Sequence, residues 1–460
     1  MAGAARASEA ASCARQRREP ERSVLHQVVR DHLETFLAEA RQRSSEGAGY
    51  PRFIEDEFRR YLECGILAHG FARVRCPSCA HEFLVAFSCK RRGACPSCNA
   101  RRMHDTAAHL LDAVIPHVPV RQWVLSLPRW ARWLLARDGA LASRALAITL
   151  RQIFRHYRRA AGRCGAITFL QRFGGALNLN VHFHCVVPDG VFLKDGSFVA
   201  AERPSGEDVE EVLRRIARKL ERLLRKHRPE SAEGLDELGR ESAGSVHALP
   251  SAAFDPAKQG RLSAFLNGFS LHAGVHLHAN DRKGLEQLCS YGARGPFSLE
   301  RLSQLPDGRL CYRMKRPLPD GSTELFMQPL EFLRKLATLI PPPRLHLVRF
   351  HGVFAPNSKW RAAIVSKVAP AQLQEQESAT PAEPAAAQPA RNNRLPWAEL
   401  FKRTFKTDVL KCERCGGPMK VLALINEGKA IREILEHLSL PTTGPPIAKA
   451  RRAAECDDWA

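Results

Sequence analysis

The sequence predicts an α+β fold, with a central antiparallel sheet, flanking helices, an N-terminal helical zinc-knuckle module and a small C-terminal domain. Three observations carry that expectation. Short apolar runs of strand length alternate with amphipathic helices in mixed order between residues 119 and 365. Cys-x-x-Cys pairs stand at Cys76–Cys79, Cys95–Cys98 and Cys412–Cys415. A stretch rich in Ala, Pro, Gln and Glu at 366–396 reads as a flexible linker before the last unit, 397–445.

Composition bounds the function. At 460 residues the chain exceeds one ordinary domain. Its 70 Lys and Arg against 48 acidic residues leave a formal charge of +22, which favours a polyanionic partner, with nucleic acid the default. There is no apolar run of membrane-spanning length, and residues 1–22 have no apolar core of the kind a signal peptide needs. The expected location is cytoplasmic. In that setting the 14 cysteines, six of them in Cys-x-x-Cys pairs, point to metal rather than disulfides.

Taken in order, residues 1–22 read as a disordered basic tail and 23–118 as a helical, zinc-binding, DNA-binding domain. Val24, Leu25, Val28, Val29, Leu33, Phe36 and Leu37 lie at helical spacing, and a second helix is expected over Ile54–Leu62. Cys76, Cys79, Cys95 and Cys98 then offer four soft ligands from two knuckles, the set a tetrahedral structural Zn2+ prefers. Cys64, Cys89 and His69 lie nearby and could replace a ligand or build a second site, with buried free thiols as the plainer reading. Arg73, Arg75, Lys90, Arg91, Arg92, Arg101 and Arg102 give the module a basic rim suited to phosphate.

Residues 119–365 hold the main α+β unit. VRQWVLSLP from Val120 and AITFLQRFG from Ala166 read as strands, with a helix over Ala140–Arg159 between them. Asn178–Phe192 reads as a buried strand running into a Pro188-Asp189-Gly190 turn. Strand alternation puts His182 and His184 on one face, half of a metal site. An amphipathic helix is expected over Asp208–Arg228, a surface insertion over 229–260, and a strand carrying His272, His276 and His278 after it. Further strands are expected near Leu310–Lys315, Glu324–Met327 and Leu345–Phe354. In the last unit, Cys412 and Cys415 form a single knuckle, either half of a second zinc site with His437 and Cys456 as nearby candidate ligands, or a structural remnant.

A helix capped by Asn280 or Asp281 and stopped by Gly295-Pro296 places Gln287, Tyr291 and Arg294 on one face. A phenol can attack a phosphodiester that a metal polarises and an Arg neutralises. From residue types alone, a lone half-buried tyrosine is more often packing.

The chain resembles the HUH rolling-circle transposases of bacterial insertion sequences, and more narrowly the branch associated with common-region mobile elements. The segments that carry the resemblance are CPSC…SCKRRGACPSCNARR, VHFHCVVPDGVF, CSYGARGPFSLERLS at 289–303, HLVRFHGVFAPNSKWR at 346–361 and DVLKCERCGG, spanning roughly 60–460. The resemblance implies a sheet of HUH-endonuclease type, with His182 and His184 as metal ligands and Tyr291 as the catalytic residue. It implies nicking of one DNA strand to a 5′-phosphotyrosine and a free 3′-OH, with Mg2+ or Mn2+ polarising the phosphate. The implied partners are single-stranded element ends and a host helicase with the replication machinery, since no Gly-x-x-x-x-Gly-Lys-Ser/Thr loop is present to drive strand separation.

One departure stands out. Better-known members carry two tyrosines four residues apart, whereas Gln287 and Gly295 flank Tyr291 at that spacing here. Tyr291 is then reused, two protomers of a homodimer contribute one each, or a water or free 3′-OH resolves the intermediate. Gln287 is a candidate third metal ligand, in competition with His272, His276, His278 and several acids. Two other functions compete: a zinc-dependent DNA-binding regulator with an inactive nuclease centre, and a plasmid relaxase or replication initiator.

Overall fold

The computed structural model describes residues 18–44, 47–157, 162–227, 262–318, 320–365 and 408–451. The expected tail (mostly), insertion and linker fall outside them, as does Cys456.

The N-terminal helices form where apolar residues recur at helical spacing. Helix α1 (Val24–Arg43) starts at Ser23, whose side chain accepts the His26 N–H. Its buried stripe of Leu25, Val28, Val29, Leu33, Phe36 and Leu37 packs on α2 (Arg52–Leu62), with the Phe36 ring edge-on to Phe58 at 5.8 Å. A hairpin follows, β1 (Phe71–Arg75) and β2 (Glu82–Ala86), then the long helix α3 (Pro96–Ala113). Pro96 occupies the first turn of α3, where its missing N–H costs nothing.

The main unit is built on β3 (Val120–Ser126), α4 (Arg129–Arg137), α5 (Gly139–Tyr157), β4 (Gly165–Phe173) and β5 (Leu179–Pro188). Next come β6 (Gly190–Phe192) and β7 (Phe198–Ala200), which pair with each other in a two-stranded ribbon. The apolar residues after the Pro188-Asp189-Gly190 turn therefore do not fold back on the histidine strand. Helix α6 (Gly206–Arg225) opens with a capping box between Ser205 and Asp208. Strands β8 (Ser263–Leu266) and β9 (Phe269–Leu277) lead to α7 (Arg282–Ala293), capped by the Asp281 side chain on the Gly284 N–H.

Strands β10 (Leu302–Gln304), β11 (Leu310–Arg313) and β12 (Glu324–Met327) make a small antiparallel sheet. Helix α8 (Pro329–Leu339), β13 (Val348–Gly352) and the single turn α9 (Arg361–Ile364) complete the unit. Strand β14 (Lys420–Ile425) and α10 (Gly428–His437) lie near the C-terminus.

The central sheet has six strands in the order β13-β4-β5-β3-β9-β8, every pair antiparallel. The histidine strand β5 is thus fourth from one edge and third from the other. Helices cover both faces. Residues Ile167, Phe169 and Val186 face α3 and α7, while Trp123, Phe183 and Cys185 belong to the larger core shared with α4, α5 and α6. On that second face Arg121 sits 1% exposed, held by Asp189 at 2.6 Å and by the Ala273 carbonyl at 2.9 Å. Tyr157 Oη donates to Asp189 at 2.8 Å, tying α5 to the sheet around the buried charges.

Strand β14 extends the N-terminal hairpin, giving a three-stranded sheet in the order β14-β1-β2. The last described segment therefore docks on the first module instead of standing apart. Among the described residues, no helix is long and apolar enough to cross a membrane.

Candidate active site and cysteine centres

Register places the histidines. His182 faces Gln171 on β4 and Ser126 on β3, and His184 faces Phe169 and Val124. All six side chains belong to the face that α3 and α7 cover. The two imidazole centroids lie 4.8 Å apart. His182 Nδ1 lies 2.7 Å from the Asn180 carbonyl, so it carries the proton and donates it, leaving Nε2 with a free lone pair. His184 Nδ1 lies 3.1 Å from Gln122 Nε2, which donates to it, and His184 Nε2 is buried with no hydrogen-bond partner.

Both rings are held neutral. Loss of water lowers His182 to about 4, with nearby Arg132 and Arg294 adding to the shift against the Asn180 bond. Burial lowers His184 to about 3, assisted by His182 and Arg294. A neutral imidazole offers a metal the ring nitrogen that does not carry the proton, which in His182 is Nε2. No third His, Cys, Asp or Glu among the described residues joins the pair within 4.8 Å. Two imidazoles alone leave most coordination positions of a metal to other donors.

Helix α7 brings the phenol. Tyr291 sits with its ring edge-on to His184, centroids 5.7 Å apart. The Arg294 guanidinium lies 4.7 Å from the Tyr291 ring centroid and 4.8 Å from that of Phe173, and its Nε is buried without a partner. Two features let the helix come so close. A Cβ on Gly292 would stand 2.5 Å from the Phe169 ring, so only glycine permits this approach. Gln171 Nε2 donates to the Tyr291 and Gly292 carbonyls at 2.8 and 3.0 Å, capping the last turn of α7 from the strand beside the histidines. Gln171 Oε1 is buried and unpartnered.

Tyr291 is 44% exposed, whereas Tyr50, Tyr61, Tyr157 and Tyr312 are all 8% exposed or less. These five are all the tyrosines in the chain. Gln287 is exposed one turn before Tyr291. Of the competing histidines, His276 is directed to Asp189 at 3.4 Å, on the opposite face of the sheet. His272 is bonded to Ser263, and His278 sits edge-on to His276.

The cysteines do not group as their spacing suggests. Cys76 and Cys79 do not share a centre with Cys95 and Cys98. Instead Cys64, Cys89, Cys95 and Cys98 form one cluster, and Cys76, Cys79, Cys412 and Cys415 form another, the ligand atoms of each lying within 4.8 Å of one another. The hairpin explains the split. Cys76 and Cys79 sit at its turn, while Cys89 and Cys95 follow its return strand, and five residues of strand separate the two ends by roughly 17 Å. Cys64, just after α2, stands at the base, 3.7 Å from Cys98 and 3.5 Å from Cys95. Cys64 and Cys89 are thus cluster members rather than isolated thiols. His437 lies on α10, outside both clusters.

Glu57 supports the first cluster from below, its buried carboxylate accepting the Gly93 and Ala94 N–H groups in the turn that leads to Cys95. Parts of the expected basic rim are occupied internally. Arg73 pairs with Glu82, Arg92 donates to the Leu345 and Pro342 carbonyls, and Arg102 donates to that of Lys90. Sequence reasoning did not single out Gln122 or Gln171. An amide in an apolar strand is the signal that marks both, because a buried amide needs a partner.

Comparison with known proteins agrees with this organisation. Residues 165–361 match the family described as "Putative transposase", and residues 28–127 match the "Transposase zinc-binding domain". The chain is 26% identical over 306 residues to "Putative transposase y4qJ" of Sinorhizobium fredii (strain NBRC 101917 / NGR234), covering 63% of this chain and 71% of that protein. No solved structure matches. The zinc-binding match and the two four-cysteine clusters together support Zn2+ as a bound metal.

Proposed function

Since the chain belongs to the IS91-type transposase family, we propose that it nicks one DNA strand with Tyr291 and holds the product as a 5′-phosphotyrosine. The observation that carries this reading is the exposure of Tyr291 beside two neutral, metal-competent imidazoles, while every other tyrosine is buried.

In the proposed reaction, Tyr291 Oη attacks the scissile phosphorus. The Oη–P bond forms as the phenol gives up its proton to solvent, and the P–O3′ bond breaks as the departing oxygen takes up a proton, leaving a free 3′-OH. Bond energy passes into the phosphotyrosine, so no nucleotide is consumed. His182 and His184, through Nε2, would hold a Mg2+ or Mn2+ ion, which supplies charge stabilisation at the phosphate oxygens. As placed, Gln122 Nε2 donates to His184 Nδ1, and turning that side-chain amide over would let its oxygen accept an Nδ1–H and free the Nε2 lone pair, the role an outer hydrogen bond plays at metal-bound histidines. Arg294 beside the phenol offsets the negative charge of the phosphate. The remaining donors to the ion are amide oxygens, water or the phosphate itself, with Gln171 Oε1 and Gln287 as the protein candidates.

One accessible tyrosine per chain argues against two tyrosines alternating within a protomer. Resolution then falls to a second protomer, to reuse of Tyr291, or to a free 3′-OH or water. DNA is held largely through phosphates by the positive surface, so binding weakens steeply with salt. Single-stranded element ends and a host helicase belong to the same proposal.

The test uses purified protein, single-stranded element ends and Mn2+. An adduct that survives SDS and disappears in Tyr291→Phe, with Mn2+ binding retained, supports the reading. An adduct of normal yield in Tyr291→Phe sinks it.

A further inference from the structure

The second cysteine cluster is assembled from the two ends of the chain. Cys76 Sγ lies 3.5 Å from Cys415 Sγ, and Cys79 Sγ lies 3.5 Å from Cys412 Sγ, across more than 330 residues of sequence. Zinc–thiolate bonds of about 2.3 Å in a tetrahedron set sulfurs about 3.8 Å apart, close to these separations.

The two halves are built alike. The Cys76 N–H donates to the His81 carbonyl at 2.8 Å, and the Ala80 N–H to the Cys76 carbonyl at 3.0 Å. In the second turn the Cys412 N–H donates to the Gly417 carbonyl at 2.8 Å, and the Gly416 N–H to the Cys412 carbonyl at 2.9 Å. Ala80 and Gly416, each directly after the second cysteine of its pair, have φ of 58° and 71°. A non-glycine residue in that left-handed region is held there by its surroundings. The same knuckle therefore occurs twice, face to face, with four sulfurs at the centre. Strand β14 joins β1 directly behind it, and Met419 and Val74 pack beneath Cys76 and Cys412.

We propose that Cys76, Cys79, Cys412 and Cys415 bind one Zn2+ ion that clasps the C-terminal segment onto the N-terminal module. The site is distinct from the Cys64, Cys89, Cys95 and Cys98 centre and rests on none of the nicking chemistry. Half of its ligands fall outside the matched zinc-binding domain, which ends at residue 127. The two centres differ in access. Cys64, Cys95 and Cys98 are buried, whereas Cys79 and Cys415 are exposed. The clasp exchanges its metal with solvent faster than the inner centre. A chelator frees the C-terminal segment while the first module stays folded.

Two measurements on the full-length protein test this. Elemental analysis yields two zinc ions per chain, falling to one in Cys412→Ser/Cys415→Ser. A wild-type count of one, or a double variant with the wild-type count, overturns the clasp. Should the variant fail to fold, thiol alkylation of the wild-type protein during chelation by EDTA decides the matter. Cys76, Cys79, Cys412 and Cys415 become reactive together and ahead of the other four. Cys76 and Cys79 reacting in step with Cys95 and Cys98, and apart from Cys412 and Cys415, contradicts the proposal.

Discussion

The histidine pair, proposed to hold a catalytic cation, and the cysteine clusters are put together in opposite ways. Each cysteine cluster brings four ligands that can close around a metal and leave no position for substrate. The histidine pair brings two rings from the rigid middle of a six-stranded sheet, with an exposed phenol beside them. A closed set supplies folding energy and an open set supplies chemistry. On the proposed reading, ligand number rather than ligand type separates the part of this molecule that stays together from the part that reacts.

That contrast can be broken by exchanging outcomes. His184→Ala is expected to lower nicking by about 10^3-fold, the equivalent of the several kcal/mol a polarising cation contributes, while thermal stability is unchanged or better. Cys98→Ser is expected to do the reverse. It unfolds the N-terminal module, seen as a lowered melting temperature and loss of one zinc. Nicking kinetics and melting curves on both variants check this, and a folded, fully stable Cys98→Ser protein contradicts the closed-site role.

Gln122→Leu probes the open site at lower amplitude. Removing the amide that faces His184 Nδ1 is expected to weaken Mn2+ binding by about 10- to 100-fold, the range typical of outer hydrogen bonds to metal ligands. Titration calorimetry measures it.

The smallest effect is on pH dependence. Both histidines have folded values below the 6.5 of a free imidazole, so the unfolded chain takes up protons first as pH falls. Their contribution is intact above about pH 6.5 and is lost progressively toward about pH 4 for His182 and about pH 3 for His184, at a slope of at most about 1.4 kcal/mol per ring per pH unit. Denaturant titrations of metal-free protein between pH 7 and 5 should show that slope, and His182→Gln/His184→Gln should flatten it.

How legible these regions were in the sequence differs for a physical reason. Alternation is local, so the shared face of His182 and His184 followed from two residues of strand. Helical spacing likewise put Tyr291 and Arg294 together, and Asp281 was readable as a cap. Partner assignment is not local. The pairing of Cys76 with Cys415 depends on β14 returning to β1, which no spacing encodes. The same holds for Gln171, whose role exists only because β4 lies beside β5 and under α7. Helices α4 and α8 and strand β14 were not anticipated. The helical run of α3 past the second knuckle was obscured because the Cys-x-x-Cys motif dominates its first turn.

The central claim is that Tyr291 is the nucleophile. Trapping the covalent complex on a single-stranded element end, digesting both components and sequencing the modified peptide by mass spectrometry tests it most directly. The account predicts a 5′-linked nucleotide on Tyr291 within the peptide that carries Leu288–Arg294. A nucleotide on Ser290, on a histidine or on any other residue contradicts it.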